Sequence, residues 1–500
     1  MKILFIYPEC PDSFWSFKHA LKFISKKAAV PPLGLITVAA MLPSTWEKKL
    51  VDLNITRLRI TDILWADFVF ISAMYIQKES VNKIISECKK LDKKMVAGGP
   101  LFTQEYLNYP QIDHFVLNEA EITLPKFLDD LKNGQPQRIY KTEEFAELSS
   151  SPAPDFNLLS IKDYAFMNIQ ISRGCPFDCN FCEITSLFGH KVRIKSTAQV
   201  INELNVLYDT IKWRGPVSIV DDNFIGKKNT VKNKLLPAMK EWMIAHKYPF
   251  TFNIETSINL ADDEELMALL VETGINSTFV GIETPVEESF LDGNKVQNKN
   301  RDLLQSVKKI QKAGIQVSGG FIVGFDSDKS SVFKHQINFI QQSGIVSAMV
   351  GLLNAPKNTR LYKQLETQNR LTTDATGNNT DLSMNFTPKM NYDELVEGYK
   401  KIIRNIYSTK PYYKRLRQML LNYNRIYMGQ TKINFTLLKA LVKSFFIIGI
   451  LNKGRREYWK LIIWTLFHRP ASIVDAITYT VYGYHFQTVY GLRNNGNLKD

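Results

Sequence analysis

Ser172-Arg173-Gly174-Cys175-Pro176-Phe177-Asp178-Cys179-Asn180-Phe181-Cys182 carries three of the chain's five cysteines within eight residues, spaced C-x3-C-x2-C. The other two, Cys10 and Cys88, stand far apart, so the trio is not accidental clustering. Thiolates this close in sequence can wrap one inorganic centre. Structural zinc wants four ligands, and the short-gap cysteine runs of bacterial ferredoxins also supply four thiolates to a four-iron cluster. Here the local count stops at three. His190, eight residues on, offers a Cys3His zinc site. The other solution is a four-iron cluster with one iron left without a protein ligand. An open metal position is where an exchangeable molecule binds.

The rest of the composition sets bounds. Five hundred residues are too many for one ordinary domain. Met1-Lys2 is followed at once by a strand-like run, Ile3 to Tyr7, so no secretory signal is expected. Few cysteines, odd in number, point to a reducing cytoplasm rather than to disulfides. The net charge of +14 is carried by residues 401–500, which hold 17 Lys/Arg against three acids. The first 400 residues balance.

Residues 1–145 alternate short apolar runs with helical stretches, the pattern of βαβ units and a parallel sheet. Strands are expected at Lys2–Tyr7, Lys49–Leu53, Phe68–Ser72, Lys94–Ala97 and His114–Leu117, with helices such as Ser80–Leu91 between them. This is a flavodoxin-like, doubly wound α/β domain, which binds ligands at the carboxyl ends of its strands. Ser72, Gly98 and Gly99 lie at such ends, where small residues admit a large ligand to the backbone. Cys10 reads as a small buried thiol. A linker follows over Lys141–Phe156.

Alternation resumes over 157–360. Strands are expected at Asn168–Ser172, Val217–Asp221, Phe250–Glu255, Ser277–Glu283, Gln316–Val323 and Ile345–Gly351. Six βα units make an open (β/α)6 partial TIM barrel, with chemistry at the carboxyl ends of the strands. Asp221 and Asp222 follow the second strand, Glu255 ends the third and Glu283 the fourth. Carboxylates there accept hydrogen bonds from hydroxyls or an ammonium group. Each also has a plain reading as an ion pair or a helix cap. Arg173 and Lys195 flank the cysteine loop and either offset its thiolates or pair with surface acids.

Residues 375–500 read as a helical, basic C-terminal extension. Its run Phe435–Leu451 and the patch Leu461–Phe467 are too short to span a bilayer, which takes about 20 residues. Lys439 and Lys443 fall four apart. Basic residues beside Trp, Phe and Leu describe a helix lying at a membrane surface. The alternatives are packing on the barrel or a partner, or a nucleic-acid patch, for which the aliphatic runs are long.

The cysteine spacing, with Phe181 just before the third cysteine, resembles the radical S-adenosylmethionine (SAM) superfamily. That resemblance implies a [4Fe–4S] cluster held by Cys175, Cys179 and Cys182, SAM on the open iron, and cleavage of SAM to a 5′-deoxyadenosyl radical. It places Phe181, Asp222, Glu255 and Glu283 at the SAM site. The segment from Gly319 to Phe325 resembles the stretch that lies beside the adenine. The first domain resembles a cobalamin-binding domain, with Ser72, Gly98 and Gly99 around the nucleotide tail. The D-x-H-x-x-G signature of that domain is absent; Pro8 to Trp15 stand in its place. The domain order is similar to that of the cobalamin-type proteins that include hopanoid C-methylases. Phe14-Trp15, Pro31-Pro32-Leu33-Gly34-Leu35 and Gly281-Ile282-Glu283-Thr284-Pro285 carry that likeness. It implies a C-methyltransferase acting on an apolar, lipid- or isoprenoid-like substrate, supplied with electrons by a ferredoxin or flavodoxin. The expected location is the cytoplasm, with peripheral contact at the inner face of the membrane and no nucleic acid bound. The rival enzyme makes the same radical but closes a ring, joins carbons or rearranges a skeleton, and its cobalamin-type domain is vestigial.

Overall fold

The computed structural model describes residues 1–493 except 379, 427 and 429–434. Six strands of the N-terminal region form one parallel sheet: β1 (Lys2–Tyr7), β2 (Glu47–Asp52), β3 (Phe68–Ser72), β4 (Lys94–Gly98), β5 (His114–Val116) and β6 (Ile139–Tyr140). Their spatial order is β2-β1-β3-β4-β5-β6. Helices cover both faces, so the strands are apolar on both sides. Leu4, Ile6, Val69 and Ile71 enter one core, and Ile3, Phe5, Phe68 and Phe70 the other. The helix Lys78–Lys90 buries Val81, Ile84, Ile85 and Cys88, a stripe at helical spacing. Cys88 is therefore core. Strand β6 was not expected, because two residues show no period. It is held by the Phe115 and Leu117 amides, which donate to the Arg138 and Tyr140 carbonyls at 2.7 and 2.9 Å.

The second sheet begins with β7 (Met167–Ile169). An antiparallel pair follows, β8 (Ser172–Arg173) with β9 (Arg193–Ile194). Then come β10 (Gly215–Ile219), β11 (Phe250–Thr256), β12 (Ile275–Glu283), β13 (Gln316–Val323) and β14 (Ala348–Leu352). Strands β7 and β10 to β14 pair in parallel, in chain order. The single strand expected over Asn168–Ser172 is in fact two. Asp221, buried, accepts from the Ile171 amide at 2.7 Å and the Ser172 hydroxyl at 2.6 Å, and this breaks the strand at Ile169. On β11, Phe252, Ile254 and Thr256 are buried while Asn253 and Glu255 stay open. The buried set packs under the surrounding helices, and the open set faces the bore.

The extension lies across both sheets. Helices Tyr392–Tyr407 and Thr409–Asn422 pack on the barrel helix Ser331–Ser343, and Ile473–Val489 packs on Lys18–Leu21 of the N-terminal region. Its dense aromatics are largely core. They enclose Arg415, fully buried beside the rings of Tyr407 and Tyr412 at 5.6 and 5.3 Å. A helix at Arg360–Thr367 precedes the polar loop near 375. Lys439 and Lys443 both lie on the helix Phe435–Ser444, four residues apart and so on one side of it, and Lys443 is engaged there. Its Nζ donates to the Lys22 carbonyl at 2.6 Å and contacts Ser25 Oγ at 3.1 Å. Among the described residues, no helix is long and apolar enough to cross a membrane.

Gly398 marks the closest helix crossing: a Cβ there would run into the Phe333 ring. Gly398→Ala is expected to lower unfolding stability by about 1–3 kcal/mol, read from urea denaturation; an unchanged midpoint would show that the two helices can separate freely.

Candidate functional site

The cysteine loop leaves β8 through Gly174, whose φ is +93°; a Cβ there would stand 2.9 Å from the Lys191 carbonyl oxygen. Only glycine takes this turn without strain. The loop is clamped from the far side of the barrel. The Asn180 amide donates to the Gly293 carbonyl at 3.1 Å, and Asn294 Nδ2 donates to the Asp178 carbonyl at 2.6 Å. Phe181 packs edge-on to Phe325, ring centroids 6.0 Å apart.

Cys175, Cys179 and Cys182 are free thiols. Burial pushes all three pKa values up, Cys182 to about 12, while Lys295 pulls each of them down. Their sulfurs do not all lie within 4.8 Å of one another. Structural zinc takes four protein ligands; this loop supplies three thiols, the number that leaves one corner of a four-iron cluster open. His190 does not join it; its ring lies 3.8 Å from the Asp178 carboxylate.

Lys295 is the residue that sequence reading misses. It is buried beside the thiols, with its Nζ 2.6 Å from Glu283 Oε1. Gln297 Nε2 approaches Cys179 Sγ at 3.7 Å. Neither belongs to a recognisable spacing, because a loop brings them back from beyond β12. Glu283 takes the plain alternative: one of its carboxylate oxygens is engaged by Lys295. Its backbone lies at φ +61°, where a non-glycine side chain is uncommon. Arg173 and Lys195 pair with acids as expected, but these acids are buried rather than at the surface. Arg173 holds Glu119 and Glu121 at 3.1 and 2.8 Å, and Lys195 holds Glu203.

Asp221, Asp222 and Glu255 converge on the other side of the loop. Asp221 braces β8, and Asp222 accepts from the Gly174 amide at 3.2 Å. Neither caps a helix. Burial raises the Asp222 carboxyl to about 6, and Asp221 adds repulsion. Glu255 is raised to about 7 by its protein surroundings and by the charges of Asp222 and Asp221, although solvent reaches it through the bore. On the neighbouring strand, Phe279 sits beside Glu255 in register. A Cβ at Gly320 would meet the Phe279 ring at 2.9 Å. Trp15, from the loop after β1, reaches in from the N-terminal region and packs edge-on to Phe279 at 5.2 Å.

In the first sheet, Ser72 and Gly98 are neighbours in register. Gly99 has φ +87°, and a Cβ there would fall on Ser72 Oγ; one at Gly98 would stand 2.6 Å from the Val116 carbonyl oxygen. The three small residues thus form a continuous cradle that any larger side chain would fill. Beyond the end of β5, a cavity of ≈ 280 Å³ opens between Asn118, Tyr106 and Phe145 and the helix Ile184–Phe188, which follows Cys182.

The Glu255 carboxyl is expected to titrate near pH 7 in the protein free of SAM, and Asp222→Asn to lower that midpoint. Folding favours the protonated form, so this group's contribution to stability is complete below about pH 4.5 and is lost as the pH rises through about 7. Infrared titration of the carboxyl band checks both; a midpoint untouched by Asp222→Asn would mean the two carboxylates do not sense each other.

Residues 169–335 match the model of the radical SAM superfamily, and residues 359–495 match a domain of unknown function, DUF4070. An uncharacterized methyltransferase, sll1242, of Synechocystis is 38% identical over 97% of this chain and 91% of its own length. The hopanoid C-2 methylase of Rhodopseudomonas palustris is 32% identical over 83% of this chain and 78% of its own. Two solved structures share the fold. The cobalamin-dependent SAM radical enzyme OxsB, with aqua-cobalamin and SAM bound, aligns with a TM-score of 0.62 at 14% identity, over 99% of this chain and 84% of that one. The radical SAM methyltransferase TsrM from Kitasatospora setae, with cobalamin and a [4Fe-4S] cluster bound, aligns with a TM-score of 0.61 at 15% identity, over 96% and 99%. With the thiol trio and its clamps in place, these relatives assign the chain to the radical SAM superfamily, within the group of methyltransferases that includes the hopanoid C-2 methylase.

Proposed function

We propose that this chain is a cobalamin-dependent radical SAM methyltransferase acting on an unactivated carbon of an apolar, lipid-class substrate. The carrying observation is the set of three free thiols on one loop, spaced C-x3-C-x2-C and backed by the buried Lys295. In this reading residues 1–145 are a flavodoxin-like cobalamin domain, 157–360 the partial barrel and 375–500 the helical extension. Cys175, Cys179 and Cys182 hold a [4Fe–4S] cluster, and the cradle of Ser72, Gly98 and Gly99 takes the nucleotide tail of cobalamin. Bound together, these groups and SAM supply a carbon-centred radical and a transferable methyl group.

The chain's own part is orientation and exclusion of water. Lys295 offsets the negative charge of the thiolates. Asp222 and Glu255 accept hydrogen bonds from the ammonium and hydroxyl groups of SAM, with Phe181 at the cluster's edge. Trp15 and Phe279 give the bore an apolar wall that suits a hydrocarbon skeleton. Anaerobically reconstituted protein with SAM and dithionite should release 5′-deoxyadenosine, and Cys179→Ala should not. Lipids from cells making the protein should show a species heavier by one CH2. Deoxyadenosine without that species would leave the superfamily chemistry and remove the methyl transfer.

The lipid reading has a second support. Of the 25 large apolar side chains left exposed among the described residues, ten lie between Leu438 and Phe467. That density marks an interaction face rather than ordinary surface. Arg455, Arg456 and Lys460 are exposed on the same stretch, which suits a bilayer surface of anionic lipid. The double variant Phe446→Ser, Phe467→Ser should float less with phosphatidylglycerol vesicles while keeping its melting temperature; equal flotation would assign the face to a protein partner.

A further inference from the structure

Outside the barrel, three ligand-type side chains meet where the N-terminal loop touches the last helix. Asp12 lies in the loop after β1, His19 on the helix Lys18–Leu21 and His485 on the helix Ile473–Val489. One ligand atom from each lies within 4.8 Å of the other two. Asp12 is exposed and His19 half-buried, so the place is open to ions in solution, while His485 is fully buried.

His485 is prepared in an unusual way for a buried histidine. Its Nε2 stands 3.1 Å from the Phe14 carbonyl oxygen. A carbonyl only accepts, so Nε2 carries the proton and Nδ1 keeps its lone pair. Nδ1 is buried and has no hydrogen-bond partner, a condition that calls for an explanation in a folded protein. Burial holds the ring neutral at ordinary pH, its pKa pushed down to about 4, and neutral imidazole is the form that binds metal. A backbone carbonyl on one ring nitrogen is also the arrangement that orients metal-binding histidines.

The other two groups are held as well. His19 Nε2 lies 2.7 Å from Asp12 Oδ2, and the Ser16 hydroxyl donates to Asp12 Oδ1 at 3.3 Å. Phe17 stacks on the His485 ring, with centroids 5.3 Å apart and planes at 25°. Zinc binds histidine nitrogen and carboxylate oxygen at about 2.0–2.2 Å, so drawing three atoms already inside 4.8 Å onto one ion needs only side-chain rotation.

We propose that Asp12, His19 and His485 bind one divalent ion of the zinc class, with a fourth position open to water. The ion would pin the loop after β1 to the last helix. That loop carries Phe14, stacked on Phe486 at 4.4 Å, and Trp15, packed on Phe279 of the bore. The site is therefore a clip that fixes one wall of the reaction chamber, separate from the cysteine loop.

Zinc uptake by the full-length, anaerobically reconstituted protein tests this, with equilibrium dialysis against Zn²⁺ and elemental analysis. Wild type should retain one zinc per chain and melt at a higher temperature with it. Asp12→Asn and His19→Gln, both changes at reachable positions, should each weaken retention by about tenfold or more and lose the thermal shift, with iron and sulfide content unchanged. No zinc beyond background in wild type overturns the proposal, and so does equal retention by the two variants.

Discussion

The candidate site has to hold negative charge in a partly enclosed place. Three thiols and the carboxylates of Asp221, Asp222 and Glu255 gather at one end of the second sheet, and burial opposes the ionised form of each. Lys295 is the counterweight. It is buried beside the partly buried thiols and paired with Glu283, and this keeps one positive charge next to them. A buried pair of this kind contributes little net stability, because desolvation offsets the attraction. Its value lies in where it places charge. The loop from Gly293 to Asn298 that delivers Lys295 also clamps the cysteine loop through Gly293 and Asn294, so electrostatics and positioning arrive together.

Much of this architecture is legible in the sequence: strands of the first sheet are buried on both faces and read as continuous apolar runs, and those of the second recur between helical stretches. The six barrel strands and their order follow from that alternation. The cysteine spacing is legible because ligand geometry tolerates few spacings. What escapes is anything settled by tertiary approach. The break of the first barrel strand at Ile169 depends on Asp221, some fifty residues away in the chain. Strand β6 is too short to show a period. Lys295 and Gln297 belong to a loop whose composition looks like any other, and only closure of the barrel sets them against Cys179.

The candidate residues divide the same way. Asp222 and Glu255 do come together beside the cysteine loop, and Ser72, Gly98 and Gly99 do share one cradle, since strand ends are predictable places. Glu283 ends its strand as anticipated, and one of its carboxylate oxygens pairs with Lys295. Lys443 reaches the N-terminal region from its helix, since the Lys22 backbone carbonyl accepts from its amine.

The loop after β1 has a consequence for how the molecule is made. Its Phe14 stacks on Phe486, and its carbonyl meets His485 across 471 residues of chain. Contacts so distant in sequence form late. During synthesis the barrel can assemble while one wall of its chamber is still missing, and that wall is set only when the final helix leaves the ribosome. A bulky cofactor would thus have a broad doorway early in the protein's life and a much narrower one afterwards.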